Sequence, residues 1–475
     1  MIAMTLTELA EVVGGTVDGD GTLVVDGEAY VDSRQAVPGG LFVAVVGERV
    51  DGHAYADGAH AVLGSRPTSA PTVVVDDPVA ALGLLARHVV DRLGLPVAAM
   101  TGSQGKTGTK DYLAHVLAGA GATVATRANN NNELGVPLTA LRADAGTDHL
   151  VVEMGARGIG HIGYLCTLVP PRAAAVLNVG TAHLGEFGSR EAIAAAKGEI
   201  VEALPTADEG GVAVLNADDV LVAAMASRTR ARVLTFGAGP DADLTWRGVE
   251  LDDRGRPRFE LGHAGEWAPV VLRQTGEHQV LNAAAAAGLA LALGMSLTDV
   301  AARLSSAEAA SAWRMALEER ADGLLVLNDS YNANPESTAA AVRSLAQLGR
   351  ARTGRTIAVL GEMLELGDGR VAGHREVGEG VADAGIDVLV TVGEVAEDVA
   401  LGAREAPGEA PGEVILTAGR AEATAWLRNN ATADDVVLVK ASRGAALDQV
   451  AADLLSTHAD EPAGTDGPEG GSDSR

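Results

Sequence analysis

The first residues able to do chemistry are Gly102-Ser103-Gln104-Gly105-Lys106-Thr107-Gly108, which follow the apolar run Val97-Ala98-Ala99-Met100. A strand entering a glycine-rich turn and leaving as a helix aims backbone N–H groups and the positive helix end at one point, where a phosphate fits. Lys106 would hold the β- and γ-phosphates of ATP, and the Thr107 hydroxyl would coordinate magnesium. The common P-loop has a further glycine where Met100 stands, so the spacing marks an unusual type of loop. Downstream, His149-Leu150-Val151-Val152-Glu153 reads as a strand that ends in an acid. One βαβ unit after a P-loop, that carboxylate would stand beside the magnesium. Asn178-Val179-Gly180-Thr181-Ala182-His183 ends another strand, and Ser189 is placed to cap a helix that carries Lys197. By themselves His183 reads as structural and Lys197 as a salt-bridging surface lysine. Gly276 to Asn282 offers amides suited to a purine edge. Asn328 to Pro335 is a polar loop at a strand's carboxyl edge, where open α/β sheets bind ligands.

Those residues need a scaffold, and the apolar runs indicate one. At 475 residues the chain exceeds a single core and predicts two to four domains. Residues 1–95 hold short strand-like runs broken by turns, a small mixed α/β domain. Residues 96–314 alternate strands (Val97 to Met100, Leu150 to Val152, Ala173 to Leu177, Val212 to Leu215, Val233 to Phe236) with helical segments, the pattern of a central parallel sheet wrapped by helices. Residues 315–455 repeat the alternation at 324–327, 357–360, 388–392, 414–416 and 436–439, a Rossmann-like doubly wound domain. Residues 456–475 have almost no apolar side chain and are expected to be disordered.

Composition excludes several classes. A net charge of −28 opposes nucleic-acid and anionic-membrane binding, so an anionic substrate would need local cations. No apolar stretch is long enough to predict membrane insertion. The single Cys166 rules out an internal disulfide and reads as a small buried hydrophobe, which fits a reducing cytoplasm. The charge fits monomer and dimer alike, and a monomer is the expectation.

The stretch Thr101 to Thr107 matches the sequence T-G-[ST]-x-G-K-T. With "ANNNNELGVPLT", "EMGARGIGHI", "NVGTAHLGEFGS", "NDSYNANPES" and "LGEMLELG" in the right order, the chain resembles the Mur ligase family of ATP-dependent amide-forming enzymes over nearly its whole length. The stretches are most similar to the branch that adds D-alanyl-D-alanine to UDP-N-acetylmuramoyl-tripeptide. The resemblance implies an acyl-phosphate mechanism and two magnesium ions, the first on Thr107 and Glu153. The second would be served by His183 and by Lys197, carbamoylated by carbon dioxide. It also implies Asn282 at adenine, Arg314 at the phosphates and Asp329 at the ribose, with Ser33 and Arg34 contacting uridine diphosphate. Asn332, Asn334, Lys440 and Ser442 would lie near the incoming amine. Two departures stand out: Gln279 occupies a position where the family commonly has asparagine, and Ala441 one where it usually has glycine. A sister ligase adding a diamino acid or D-glutamate, a folylpolyglutamate-type synthetase and a non-catalytic nucleotide switch remain alternatives.

Overall fold

The computed structural model describes residues 1–47, 49–180, 184–408 and 410–456. His183 and the tail from 457 onward therefore lie outside the described residues. Three sheets carry the architecture. The first has five strands in the order Thr16–Asp18, Thr72–Val74, Ala61–Gly64, Leu41–Val43 and Ala29–Tyr30, parallel except for the first pair. Helix Leu6–Val13 opens with a Thr5/Glu8 capping box, which satisfies otherwise orphaned N–H groups, and buries Leu6, Leu9, Ala10 and Val13 at helical spacing. Helix Pro78–Leu93, capped by Asp77, ties this sheet to the next. Its inner residues share one apolar core with Leu41 and Val43 on one side and Val97 and Leu150 on the other.

The central sheet has nine strands. Its strand Val97–Thr101 lies between His149–Glu153 and Ala173–Val176, all parallel. In register, Glu153 pairs with Met100 and Val176 with Thr101. The carboxyl ends of three strands therefore come together, and the loops after them must share one edge. Every residue of Val97–Thr101 is buried, because helices cover both faces of the sheet. The predicted strands appear within two residues of their expected ends. The sequence reading did not include the antiparallel extension Leu244–Leu251, Pro257–His263 and Glu266–Val271. The last two alternate exposed and buried residues along most of their length, the first is mostly half-buried or exposed, and all lack the continuous apolar runs of the buried strands.

The third sheet has six strands in the order Ala316–Glu319, Leu325–Asn328, Val436–Lys440, Thr356–Gly361, Val388–Val392 and Glu413–Thr417. Only the first of these is antiparallel, and helices pack on both sides. Register places Asn328 opposite Val439 and Leu360 opposite Lys440, so Asp329 and Lys440 meet at the carboxyl edge. No helix among the described residues is long and apolar enough to cross a membrane.

Candidate active site

The carboxyl edges of the central and third sheets face each other across a cleft of about 1020 Å³. On the central wall, Gly105 opens helix Lys106–Leu117 with φ +83°, a conformation that suits glycine, and a Cβ there would collide with the Asn282 carboxamide. The loop is clamped from the next strand: Asn178 accepts from Gln104 N at 3.0 Å and donates to its carbonyl at 3.1 Å, and Ser103 Oγ accepts from Gly180 N at 2.9 Å. Lys106 Nζ donates to the Gly102 carbonyl at 2.7 Å. Thr107 Oγ1 donates to Glu153 Oε2 at 3.1 Å, while Asn131 Nδ2 donates to the other oxygen at 2.8 Å. Glu153 is 2% exposed, so this hydrogen bond between a P-loop threonine and a strand-end acid is buried.

Lys197 lines the same cavity from helix Arg190–Glu202, whose N-cap is Ser189, accepting from Ala192 N. The side chain does not sit on the surface, as a generic lysine would; the residue is 4% exposed. Burial pushes its pKa well below the ordinary value, and the nearby Lys106 charge pushes it further. Lys106 is itself lowered, first by burial and then by Arg314, against the pull of Glu153 and Glu365. Two lysine side chains thus share one poorly solvated wall, and the Lys197 amine is the one that burial and its neighbour keep from holding a proton.

The facing wall is built differently. Asp329 accepts from Met315 N at 3.1 Å and from Lys440 Nζ at 2.5 Å, and Lys440 also donates to the Asn332 carbonyl at 3.0 Å. The Arg314 guanidinium stacks on the Tyr331 ring, 4.0 Å from its centroid. Asn334 caps helix Pro335–Gly349 by accepting from Ser337 N, with Pro335 at the first turn. Ser442 is buried behind the wall, its hydroxyl accepting from Leu364 N at 2.9 Å. His278, between the walls, is lowered to about 4 by burial, helped by the Lys440 and Arg343 charges and opposed by Asp329.

The cleft thus gathers Ser103 to Gly108, Glu153, Lys197, Asn282, Arg314, Asp329, Asn332, Asn334 and Lys440. It does not include Ser33 and Arg34. These begin a short 3-10 turn on the first sheet's surface, where Arg34 is 88% exposed and forms a fork with Asp32 at 2.7 Å. Cys166 is buried with its thiol raised to about 12 by burial, consistent with an inert hydrophobe. Sequence reasoning missed Asn131 and Asn178, which hold the loop and Glu153 in place. It also left Gln279 unassigned, although Gln279 Oε1 accepts from Asn282 Nδ2 at 3.0 Å. Asparagine in a turn is common, and only the tertiary partner reveals its use.

The family model for the Mur ligase middle domain matches residues 100–290, and that for the Mur ligase glutamate ligase domain matches residues 313–443. A UDP-N-acetylmuramoyl-tripeptide–D-alanyl-D-alanine ligase of Mycobacterium tuberculosis (strain H37Rv) is 42% identical over 506 aligned residues, covering 96% of this chain and 98% of that protein. Among solved structures, a UDP-N-acetylmuramoylalanyl-D-glutamyl-2,6-diaminopimelate–D-alanyl-D-alanyl ligase from Acinetobacter baumannii superposes with a TM-score of 0.82 at 31% identity, over 95% of this chain and 98% of that one. The MurF ligase of Thermotoga maritima in complex with ADP gives 0.77 at 30% identity, over 90% and 96%. With the similarity running through all three sheets and both walls of the cleft, the chain belongs to the Mur ligase family.

Proposed function

We propose that this chain joins D-alanyl-D-alanine to the free carboxylate of UDP-N-acetylmuramoyl-tripeptide, consuming ATP and releasing ADP and phosphate. The observation that carries this reading is the central wall, where a clamped P-loop, a Thr107–Glu153 pair and a buried Lys197 face one cavity. The relatives' activity as tripeptide–D-alanyl-D-alanine ligases suggests the substrates, and the ADP complex of a relative supports the nucleotide. The division of labour follows the sheets: residues 1–95 for the UDP-sugar, 96–314 for ATP and 315–455 for the incoming amine. A monomeric, cytoplasmic enzyme is the accompanying proposal.

The chemistry begins with two anions that repel, the substrate carboxylate and the γ-phosphate. Lys106 and the N–H groups of residues 103–108 would offset that repulsion and the charge that spreads over the transferring phosphoryl group. The carboxylate oxygen attacks phosphorus, ADP leaves, and an acyl phosphate results. The dipeptide's amine then attacks the carbonyl carbon, loses its proton, and phosphate departs. The facing wall, fixed by Lys440–Asp329 and Asn334, would orient that amine and keep water out. The Thr107 hydroxyl and Glu153 carboxylate are hard oxygen donors of the kind magnesium takes, so these residues fit the ion. Magnesium supplies charge neutralisation between the phosphates and the attacking carboxylate. Lys197 fits carbamoylation: its lowered proton affinity keeps the amine free to add to carbon dioxide, with loss of one proton, and the carbamate would turn a neutral amine into an anionic oxygen ligand. His183 would serve the same second ion. Asn282, whose Nδ2 is held by Gln279, would meet adenine, Asp329 the ribose, Arg314 the phosphates, and Ser33 and Arg34 the uridine diphosphate.

The test is a mass measurement after incubating the protein with UDP-N-acetylmuramoyl-tripeptide, ATP, magnesium and candidate amines in parallel. The expected product carries the added D-alanyl-D-alanine. Product formed only with a single amino acid, or none with any amine, overturns the reading.

A further inference from the structure

The substrate's third residue bears the reacting carboxylate, and its side chain must end somewhere on the cleft wall. Among the described residues, six lysine and arginine side chains line the cavity: Lys106, Arg157, Lys197, Arg314, Arg343 and Lys440. Lys106 and Lys197 flank the P-loop, and Arg314 acts on Lys106 from the Tyr331 ring. Lys440 is committed to Asp329, and Arg343 stands by His278 toward a second cavity. Arg157 alone belongs to the loop that leaves Glu153.

The surroundings of Arg157 are specific. Its guanidinium NH1 donates to Glu133 Oε1 at 3.0 Å, and its side chain remains 65% exposed. His161 Nε2 stands 3.2 Å from the other Glu133 oxygen. The Arg157 backbone N–H donates to His161 Nδ1 at 3.1 Å, which leaves the ring proton on Nε2 for Glu133 and the imidazole neutral. The charge here is therefore one cation and one anion side by side. Both are anchored to the reaction centre. Arg157 lies four residues past Glu153, within about 14 Å along the chain. Glu133 follows the loop whose Asn131 grips Glu153.

We propose that Arg157 and Glu133 together read the side-chain terminus of the substrate's third residue and select a zwitterionic end over a purely cationic one. The inference rests on the tripeptide-ligase reading above. Diaminopimelate ends in a carboxylate and an ammonium on one carbon. Arg157 lines the cleft with most of its side chain exposed and spends Nη1 on Glu133, so further donors of its planar fork remain for the carboxylate, and Glu133, its ion-pair partner, would accept from the ammonium. Lysine brings the ammonium alone, which Glu133 can take, but which then sits beside an Arg157 charge it does not neutralise.

The experiment compares two substrates, UDP-N-acetylmuramoyl-tripeptide ending in diaminopimelate or in lysine, each with ATP, magnesium and D-alanyl-D-alanine. The native enzyme is expected to favour diaminopimelate by about tenfold or more in kcat/KM. In Arg157→Met that ratio falls below about threefold, through a KM for the diaminopimelate substrate that rises far more than the KM for the lysine substrate. Glu133→Gln, by contrast, raises both KM values, because both substrates carry the ammonium. Arg157→Lys, which keeps the charge and loses the fork, falls between and stands in for Arg157→Met if that variant does not fold. A native enzyme that shows no preference, or an Arg157 variant that weakens both substrates equally, overturns the inference and leaves the ligase reading intact. Absence of ligated product with either substrate overturns the ligase reading and the inference with it.

Discussion

The two walls of the cleft carry similar charged residues and treat them in opposite ways. On the third-sheet wall the charges neutralise one another within the protein: Lys440 meets Asp329, and Arg314 lies on an aromatic face. On the central wall Lys106 and Lys197 are both withdrawn from bulk water, and the Lys106 charge adds to the difficulty Lys197 has in staying charged. Only four of the chain's 36 basic residues are lysines, and three of them line this cleft. Arginine, which stays charged when desolvated, fills nearly every other basic position. The difference teaches where a ligand's charge is needed. One wall is electrically complete and serves as a frame, whereas the other becomes favourable only when anions arrive.

Breaking the incomplete wall should therefore cost activity and little stability. Lys106→Ala is expected to reduce phosphate release by about 10³-fold or more, since a preorganised donor to the transferring group is lost. The folded state should be intact by circular dichroism, because Lys106 is a desolvated cation whose hydrogen bond is to the Gly102 carbonyl of its own loop. Turnover within tenfold of the native rate would remove the P-loop lysine from the mechanism. Lys197→Ala should lose about 10²-fold and regain part of it when formate or acetate is supplied, as these replace the carbamate oxygens. A variant with unaltered kinetics, or one that no small carboxylate restores, would return Lys197 to a structural role.

Breaking the complete wall should cost stability directly. Lys440→Met leaves Asp329 buried with only the Met315 N–H, and losing one partner of such a pair costs about 3 kcal/mol. The chain has several cores, so a single unfolding midpoint is ambiguous, and hydrogen exchange in strand Val436–Lys440 is the better reporter. Adding Asp329→Asn to Lys440→Met should recover more than half of the loss. If the double variant is no more stable than the single one, the pair is not what holds this wall together.

The contrast also explains what the sequence disclosed. The P-loop, the strand ending in Glu153 and the Ser189-capped helix were legible because each is a local pattern: glycines at fixed offsets, a continuous apolar run, a cap before a helix. The Lys440–Asp329 pair spans 111 positions and becomes visible only when parallel register brings two strand ends together. Asn131 and Asn178 escaped for the same reason, and Gln279 because it departs from the pattern that would have assigned it. Ser33 and Arg34 are the opposite case. Their motif is local and conspicuous, yet Arg34 is exposed on the first sheet and paired only with its neighbour Asp32. The antiparallel strands at 244–271 were invisible because half of their side chains face solvent.

The smallest expected effect lies where the walls meet. His278 has its pKa lowered from the ordinary 6.5 to about 4, so the native state resists a proton that the unfolded chain accepts. Above about pH 6.5 the imidazole is neutral in both states and its site contributes full stability. As pH falls toward 4 the unfolded chain takes up the proton first and stability declines, and below 4 the loss is complete. At pH 5 this amounts to at most about 2 kcal/mol, and less to the extent that the cleft admits water. His278→Gln should remove that part of the decline between pH 7.5 and 5, read as the change in urea midpoint at the two values. The Lys440→Met variant sharpens the point. It deletes one cation that opposes the imidazolium and frees the Asp329 carboxylate to hold it, so the acid sensitivity should shrink even though the variant is less stable at neutral pH. An undiminished decline in Lys440→Met would mean that burial alone sets the His278 proton affinity and that the third-sheet wall does not act on it.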